Sequence, residues 1–392
     1  MPSLAEPNLC VGCSACASIC PKRCIEMEKD QDGFKYPVLM HPANCVECGM
    51  CESVCPVLNG SIKANVDLPS AYAAFTKDER IRRDSSSGGI FTEIAKRVLA
   101  ENGVVYGAAY DEKFAVCHCC VDKTDDLQKL RGAKYAESNL GNSFPEILDR
   151  LKSGQLVLFS GTPCQVAGLK SFVRKDYNNL ICIDFVCHGV PSPMAWDAFV
   201  KYRAEEDSDG KLPQSINLRS KETGWSKYQY SNVFEYEDGK KSSTVSSQSL
   251  FMKLFVGDYI SRPSCSECKF KGYSRVSDIT LGDFWGIWDI EPEMDDNKGT
   301  SVILVHTPNG EKLWRDIEPK IKSKEVTLEQ ASQENLSMVV SSKANPNREL
   351  ALEWIRNGKI KTCEELFTAV APPKSTLLIR VKGKIKRLLT GK

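Results

Sequence analysis

The feature that most constrains this chain is a cysteine pattern written twice within its first 55 residues. Cys10, Cys13, Cys16 and Cys20 form a C-x2-C-x2-C-x3-C run closed by Pro21, and Cys45, Cys48, Cys51 and Cys55 repeat it up to Pro56. This spacing holds two [4Fe–4S] clusters, the fourth cysteine of each run completing the set of the other. Cys10, Cys13, Cys16 and Cys55 are therefore expected around one cube, and Cys45, Cys48, Cys51 and Cys20 around the second. The two-residue spacers wrap three thiolates on a tight loop, and the proline stops the following helix from continuing inward. Paired CxxC motifs also suit tetrahedral zinc, but zinc takes four sulfurs, whereas this pattern offers eight with exchanged fourth ligands. Such a segment is built to pass single electrons. Cys24 lies outside both runs and reads as a small core residue at the start of a strand-like stretch.

A chain of 392 residues that is 42% hydrophobic can bury a sizeable core and has the length of two or three domains. Iron–sulfur ligation needs reduced thiolates, so a reducing compartment is expected. With no signal peptide and no apolar run of about 18 residues to span a bilayer, the expected place is the cytoplasm. A formal net charge of +1 gives no global case for nucleic-acid binding. Charge is local instead, because residues 374–392 hold seven basic side chains and no acidic one. As a helix, that tail would align Leu377, Leu378, Val381, Ile385, Leu388 and Leu389 in one stripe. It would either lie on an anionic membrane surface or dock on its own protein with a solvated basic face.

The organisation predicted is α+β followed by α/β. Residues 1–60 form a small unit like a bacterial ferredoxin, and 61–70 a polar linker. Residues 71–350 form a larger mixed α/β body, and 351–392 a C-terminal extension with the basic amphipathic helix. In the body, strands are expected at 104–109, 115–121, 156–159, 180–186 and 301–306, and helices at 144–151, 166–173, 194–205 and from Glu311. Residues 228–245 read as a hairpin with a type I′ turn at Asp238-Gly239.

Two constellations in the body carry chemistry, and a third only looks as if it does. Ser85-Ser86-Ser87-Gly88-Gly89 precedes the amphipathic stretch Ile90–Leu99, and a glycine-rich helix entry leaves N–H groups that favour a phosphate. A plain serine helix cap would look the same. Cys164, Cys187 and the pair Cys265-x2-Cys268 lie near loop signals, the first two after buried strands, where open α/β sheets gather ligands. Four thiolates suit a third [4Fe–4S] cube, a zinc site or unrelated packing. His188 either donates to a cluster sulfur or caps a turn. The run Cys117-His118-Cys119-Cys120 reads as strand core, because adjacent strand residues point to opposite faces. Cys182 and Cys363 read as packing.

With these segments in view, the chain resembles the coenzyme F420 hydrogenase/dehydrogenase beta-subunit family, preceded by a dicluster domain. The resemblance is carried by the Ser-Gly loop, Leu130-Arg131-Gly132-Ala133-Lys134-Tyr135, the stretch from Ser160 to Leu169, and Cys187-His188-Gly189-Val190-Pro191. It continues through Leu218-Arg219, Gly224-Trp225, Cys265-x2-Cys268 and the stretch from Asp278 to Ile287. It implies a flavin-binding body in which FAD exchanges a hydride with coenzyme F420 and passes electrons singly to clusters. Cys164, Cys187, Cys265 and Cys268 then become ligands of the third cluster. Ser86, Ser87, Gly88 and Gly89 become the cradle of the FAD pyrophosphate. Arg131 and Lys134 become partners of phosphate or flavin ring, and Thr162 a flavin contact. Ala133 departs from the serine usual in that pattern, at the cost of one hydrogen bond. Many similar bacterial proteins have no established substrate, and some are associated with surface-polysaccharide synthesis, so the resemblance leaves the hydride donor or acceptor open.

The expected activity is an iron–sulfur flavoprotein oxidoreductase that joins a small-molecule hydride partner to a one-electron protein partner. The alternatives are an electron-relay subunit serving a partner enzyme and a protein that uses its clusters structurally or as sensors. Flavin content separates the first from the other two.

Overall fold

The computed structural model describes residues 1–59, 67–227 and 229–368. Most of the expected linker and the whole basic tail lie outside the described residues, as does Tyr228 of the expected hairpin.

The N-terminal unit pairs β1 (Ile25–Lys29) with β2 (Lys35–Leu39) as an antiparallel ribbon. Its two cysteine loops run into the short helices α1 (Ala15–Ile19) and α2 (Met50–Ser53). Cys24 is buried just ahead of β1, as expected for a core residue.

The body is organised around one eight-stranded mixed sheet. Its strands are β3 (Ser70–Thr76), β4 (Val104–Tyr110), β5 (Val116–Val121), β6 (Val157–Ser160) and β7 (Leu180–Phe185). After β8 (Ser215–Ser220), β9 (Ser231–Glu235) and β10 (Lys241–Val245), which form a separate sheet, come β11 (Ile279–Asp283), β12 (Ser301–Val305) and β13 (Ile321–Val326). The order is β13-β3-β12-β11-β7-β6-β4-β5, with β4, β6, β7 and β11 mutually parallel. The central strands are near-continuous apolar runs, as sequence requires of parallel strands covered on both faces.

On one face, Ile181, Ile183 and Ile303 pack against α4 (Ile90–Leu99) and the helix Pro308–Ile317. On the other, Tyr106, Phe159 and Cys182 pack against α5 (Ser143–Lys152) and α6 (Pro163–Val173). A further core joins α7 (Pro193–Ser208) and α8 (Leu250–Val256) to the three-stranded sheet β10-β9-β8. Ala351, Leu352 and Ile355 of the helix Arg348–Arg356 are buried in that core. Residue 350 therefore falls inside a body helix, and Cys363 packs there too.

Two local expectations are corrected and one strand is added. The hairpin does not use a type I′ turn: Gly239 has φ 79° but Asp238 has no positive φ. Gly239 N–H donates to Tyr236 O at 3.0 Å and Tyr236 N–H to Lys240 O at 3.0 Å, a type I turn followed by a left-handed glycine. The reason is Tyr236, which is buried with its hydroxyl on Arg203 O, so the ladder closes one residue later. Strand β8 is an addition to the elements expected, since its alternation is carried by only two apolar residues, Ile216 and Leu218. Helix α6 begins at Pro163 instead of Val166, so Cys164 sits in a first helical turn and not in a loop. The cause is a capping box in which Thr162 Oγ1 accepts from Gln165 N–H while Gln165 Oε1 accepts from Thr162 N–H, with Pro163 at the first position.

The segment before the Ser-Gly loop is locked by a buried cation. In helix α3 (Glu79–Arg83), Arg82 makes a fork to Asp296 at 2.6 and 2.7 Å and donates from Nε to Gly299 O at 2.9 Å. Its side chain is 1% exposed, whereas that of Asp296 is 43% exposed. Removing the partly hydrated anion leaves an unpaired buried guanidinium, so Asp296→Ala is expected to lose about 3 kcal/mol of stability. Urea unfolding would measure the loss. The double replacement Arg82→Met with Asp296→Ala should recover part of it, because no buried charge is then stranded.

Candidate functional site

The carboxyl ends of β4, β6, β7 and β11 meet the N-termini of α4 and α6 over a cavity of about 1220 Å³. This is the end of a parallel α/β sheet where ligands gather, and the volume exceeds the roughly 300–1,000 Å³ of ordinary small-molecule pockets. Ser86, Ser87, Gly89, Arg131, Lys134 and Thr162, all singled out in the sequence, line it.

Helix α4 opens from Gly89 at φ 83° without a side-chain cap, so first-turn N–H groups are not taken up by a capping side chain. The loop before it is pinned from outside. Ser86 O accepts from Trp225 Nε1 at 3.1 Å and Arg219 Nη2 at 3.4 Å, and Ser87 O accepts from Lys221 Nζ at 2.6 Å. Ser86 Oγ accepts from Ala133 N–H at 2.8 Å, and Ser87 Oγ donates to Thr300 O at 3.1 Å. Gly88 is the exception to the sequence reading. It does not line the cavity; its N–H donates to Ser301 Oγ at 2.9 Å, and a Cβ there would overlap Ala74 O. Its role is close packing. Thr162 lines the cavity, but its hydroxyl is engaged with Gln165 N–H and lies 3.1 Å from Cys164 Sγ.

The walls carry more cation than the sequence disclosed. Arg131 and Lys134 have no carboxylate partner among the described residues; Arg131 Nε donates to Thr92 Oγ1 at 3.2 Å, and Lys134 Nζ to Arg131 O at 2.6 Å. Burial pushes the Lys134 ammonium down to about 7, opposed by the thiols of Cys119 and Cys117. Arg219, missed as a site residue, is buried against the Tyr230 ring at 3.9 Å and pairs with Asp283 at 2.8 Å. Its Nε has no hydrogen-bond partner among the described residues, although the side chain lines the cavity. His118 was set aside with the strand core, yet strand alternation turns it into the cavity. Its Nε2 lies 3.0 Å from the Ser160 carbonyl, which only accepts, so Nε2 carries the proton and Nδ1 accepts from Ser138 Oγ at 2.7 Å. Burial lowers it to about 4, so it is neutral. No sequence signal marked Arg219 as a site residue except its place in the Leu218-Arg219 segment.

The twelve cysteines form three groups. Cys10, Cys13, Cys16 and Cys55 line one small cavity, which Cys51 also borders, so the fourth thiol of the second run lies with the first three of the first. Cys20, Cys45, Cys48 and Cys51 line another, with Cys24 at its wall. Cys164, Cys187, Cys265 and Cys268 line a third. Among the described residues no three His, Cys, Asp or Glu side chains converge tightly enough for a single ion. A cube spreads four thiolates over four irons and asks for a wider set than a single ion does. Burial pushes Cys13 and Cys265 to about 12 and Cys187 to about 11, so these three thiols need positive charge nearby to ionise.

The groups are ordered in space. Cys164 and Cys187 line both the third cysteine cavity and the large cavity, and Val11 lines these two and the Cys10 cavity. Cys48, in the remaining group, is exposed. His188 lies between the large cavity and the third group, with Nε2 2.9 Å from Asp258 Oδ1 and Nδ1 3.4 Å from Ser337 Oγ. Among the described residues no helix is long and apolar enough to cross a membrane.

Comparison with known proteins places this architecture. Residues 71–143 match the N-terminal and residues 154–333 the C-terminal model of the coenzyme F420 hydrogenase/dehydrogenase beta subunit. Residues 9–59 match a 4Fe-4S dicluster domain. A search of curated proteins gave no match. Among solved structures, a chain of the F420-reducing [NiFe] hydrogenase complex from Methanosarcina barkeri aligns with 16% identity, 78% of this chain, 92% of that chain and a TM-score of 0.45. The two models of one family span most of the body, and with the third match they show that this chain belongs to the coenzyme F420 hydrogenase/dehydrogenase beta-subunit family, joined to an N-terminal 4Fe–4S dicluster domain.

Proposed function

We propose that this protein is an iron–sulfur flavoprotein oxidoreductase. In this reading the large cavity binds FAD and the three cysteine groups each hold a [4Fe–4S] cluster. Cys164 and Cys187 carry the proposal, because they border both the large cavity and the third cysteine group. A bound flavin would supply the exchange between a two-electron hydride partner and one-electron clusters. The residues present suit that group. The α4 N-terminus, Arg131 and Lys134 offer N–H groups and cations for a pyrophosphate, Lys221 and Trp225 hold the loop that presents them, and Arg219 keeps an unspent N–H on the wall. Tyr135, Tyr230 and Trp285 give the cavity an aromatic wall. Outward from the cavity the order is the Cys164 group, the Cys10 group and then the Cys45 group, where exposed Cys48 offers the contact to a one-electron protein partner. The family's coenzyme F420 is the first hydride partner to try.

Iron and flavin per chain in anaerobically purified protein test the reading. About twelve irons with one FAD are expected, four for each cube. About eight irons without flavin would instead make the protein a relay subunit whose body serves another purpose.

A further inference from the structure

Arg262 stands in the seam between the dicluster domain and the body, immediately before the turn Pro263–Cys265. It is 2% exposed, and its fork is fully used. Nε donates to Cys10 O at 2.8 Å, Nη2 donates to Lys35 O at 2.9 Å, and Nη1 pairs with buried Glu137. Tyr36 lies 4.2 Å beneath the guanidinium. Gly12, at φ 67°, leaves room for it, since a Cβ there would come within 2.9 Å of Nη1. Arg262 thus holds the Cys10 backbone on one side of the seam, while on the other its own carbonyl accepts from Cys265 N–H at 3.0 Å. It also lines the cavity shared by Cys164, Cys187, Cys265 and Cys268. A second bridge closes the seam: Cys13 packs on Gly168 of α6, where a Cβ would lie 2.6 Å from that of Cys13. Gly168 is one helical turn beyond Cys164 and on the same face.

We propose that Arg262 is a positioning residue that clamps the Cys10 group against the Cys164 group and favours the reduced state of both. The inference rests on reading those groups as [4Fe–4S] sites. Reduction adds one electron to a cube, with no bond made or broken, and a buried cation stabilises the added negative charge. Glu137 partly cancels that field, so the two members of the pair act with opposite sign. The Cys45 group lies away from the seam and serves as an internal control.

EPR-monitored redox titration of anaerobic holoprotein tests this in Arg262→Met, Arg262→Lys and Glu137→Gln. Arg262→Met should lower the midpoints of the Cys10 and Cys164 clusters and leave that of the Cys45 group unchanged, Arg262→Lys should restore most of the difference, and Glu137→Gln should raise both. Unchanged midpoints, or equal shifts of all three clusters, would overturn the assignment. Should Arg262→Met fail to hold its irons, the opposite signs of Arg262→Lys and Glu137→Gln relative to wild type still decide it. Wild-type protein lacking these clusters would defeat the cysteine assignment itself, a separate outcome read from its iron content.

Discussion

Replacing Cys45 and Cys55 together by alanine is expected to remove about eight irons per chain, although both belong to one cysteine run. Replacing Cys10 and Cys55, from different runs, should remove only about four. The reasoning is geometric. Cys55 lines the cavity of Cys10, Cys13 and Cys16, while Cys45 lines that of Cys20, Cys48 and Cys51. Each missing thiolate costs its own cube about four irons, and two losses from one cube are no worse than one. Iron analysis of the two double variants, prepared anaerobically beside wild type, measures this. Run-local clusters would reverse the result, with about four irons lost from the first variant and about eight from the second. Cys164→Ala should remove about four more irons independently, because its group lies in a separate cavity.

Gly88→Ala is expected to destabilise the body by about 3 kcal/mol, at the upper end for an overpacked site. A methyl group at this position overlaps the carbonyl oxygen of Ala74 in β3 and comes within 3.0 Å of both the backbone nitrogen and Oγ of Ser301 in β12. The shortest of these contacts is to backbone of a paired strand in the central sheet, which cannot yield as a flexible side chain would. The strain should also displace Ser86 and Ser87 and weaken flavin retention. Gly132→Ala is the contrast. It faces open space at φ 81°, so only backbone strain of about 1 kcal/mol is expected. Urea midpoints and flavin content of the two variants check the pair, and equal losses would refute the packing role of Gly88.

The cysteine runs show how far local pattern reaches. Spacing alone predicted that Cys55 and Cys20 would change places between sets, since a cube's geometry dictates which thiols a tight loop can supply. The parallel strands were legible as well, because a strand covered on both faces must be apolar throughout, as Leu180–Phe185 is. The capping box at Thr162 was written in the sequence but unread, and it moved Cys164 from a loop into a helix. The turn at Asp238-Gly239 had the right residues and the wrong type, because burial of Tyr236 decided where the ladder closed.

What the sequence by itself determined is therefore what short range controls: two cysteine loops, the apolar strands, and a glycine-rich entry to α4. Only the tertiary structure decided that Gly88 packs while Gly89 lines the cavity, that His118 faces inward from a run of cysteines, and that Arg219 and Arg262 are buried cations. The physical reason is that a cation's role depends on what surrounds it. Burial and partners arrive from residues far away in the chain, as Glu137 and Cys10 do for Arg262, and no local periodicity encodes them.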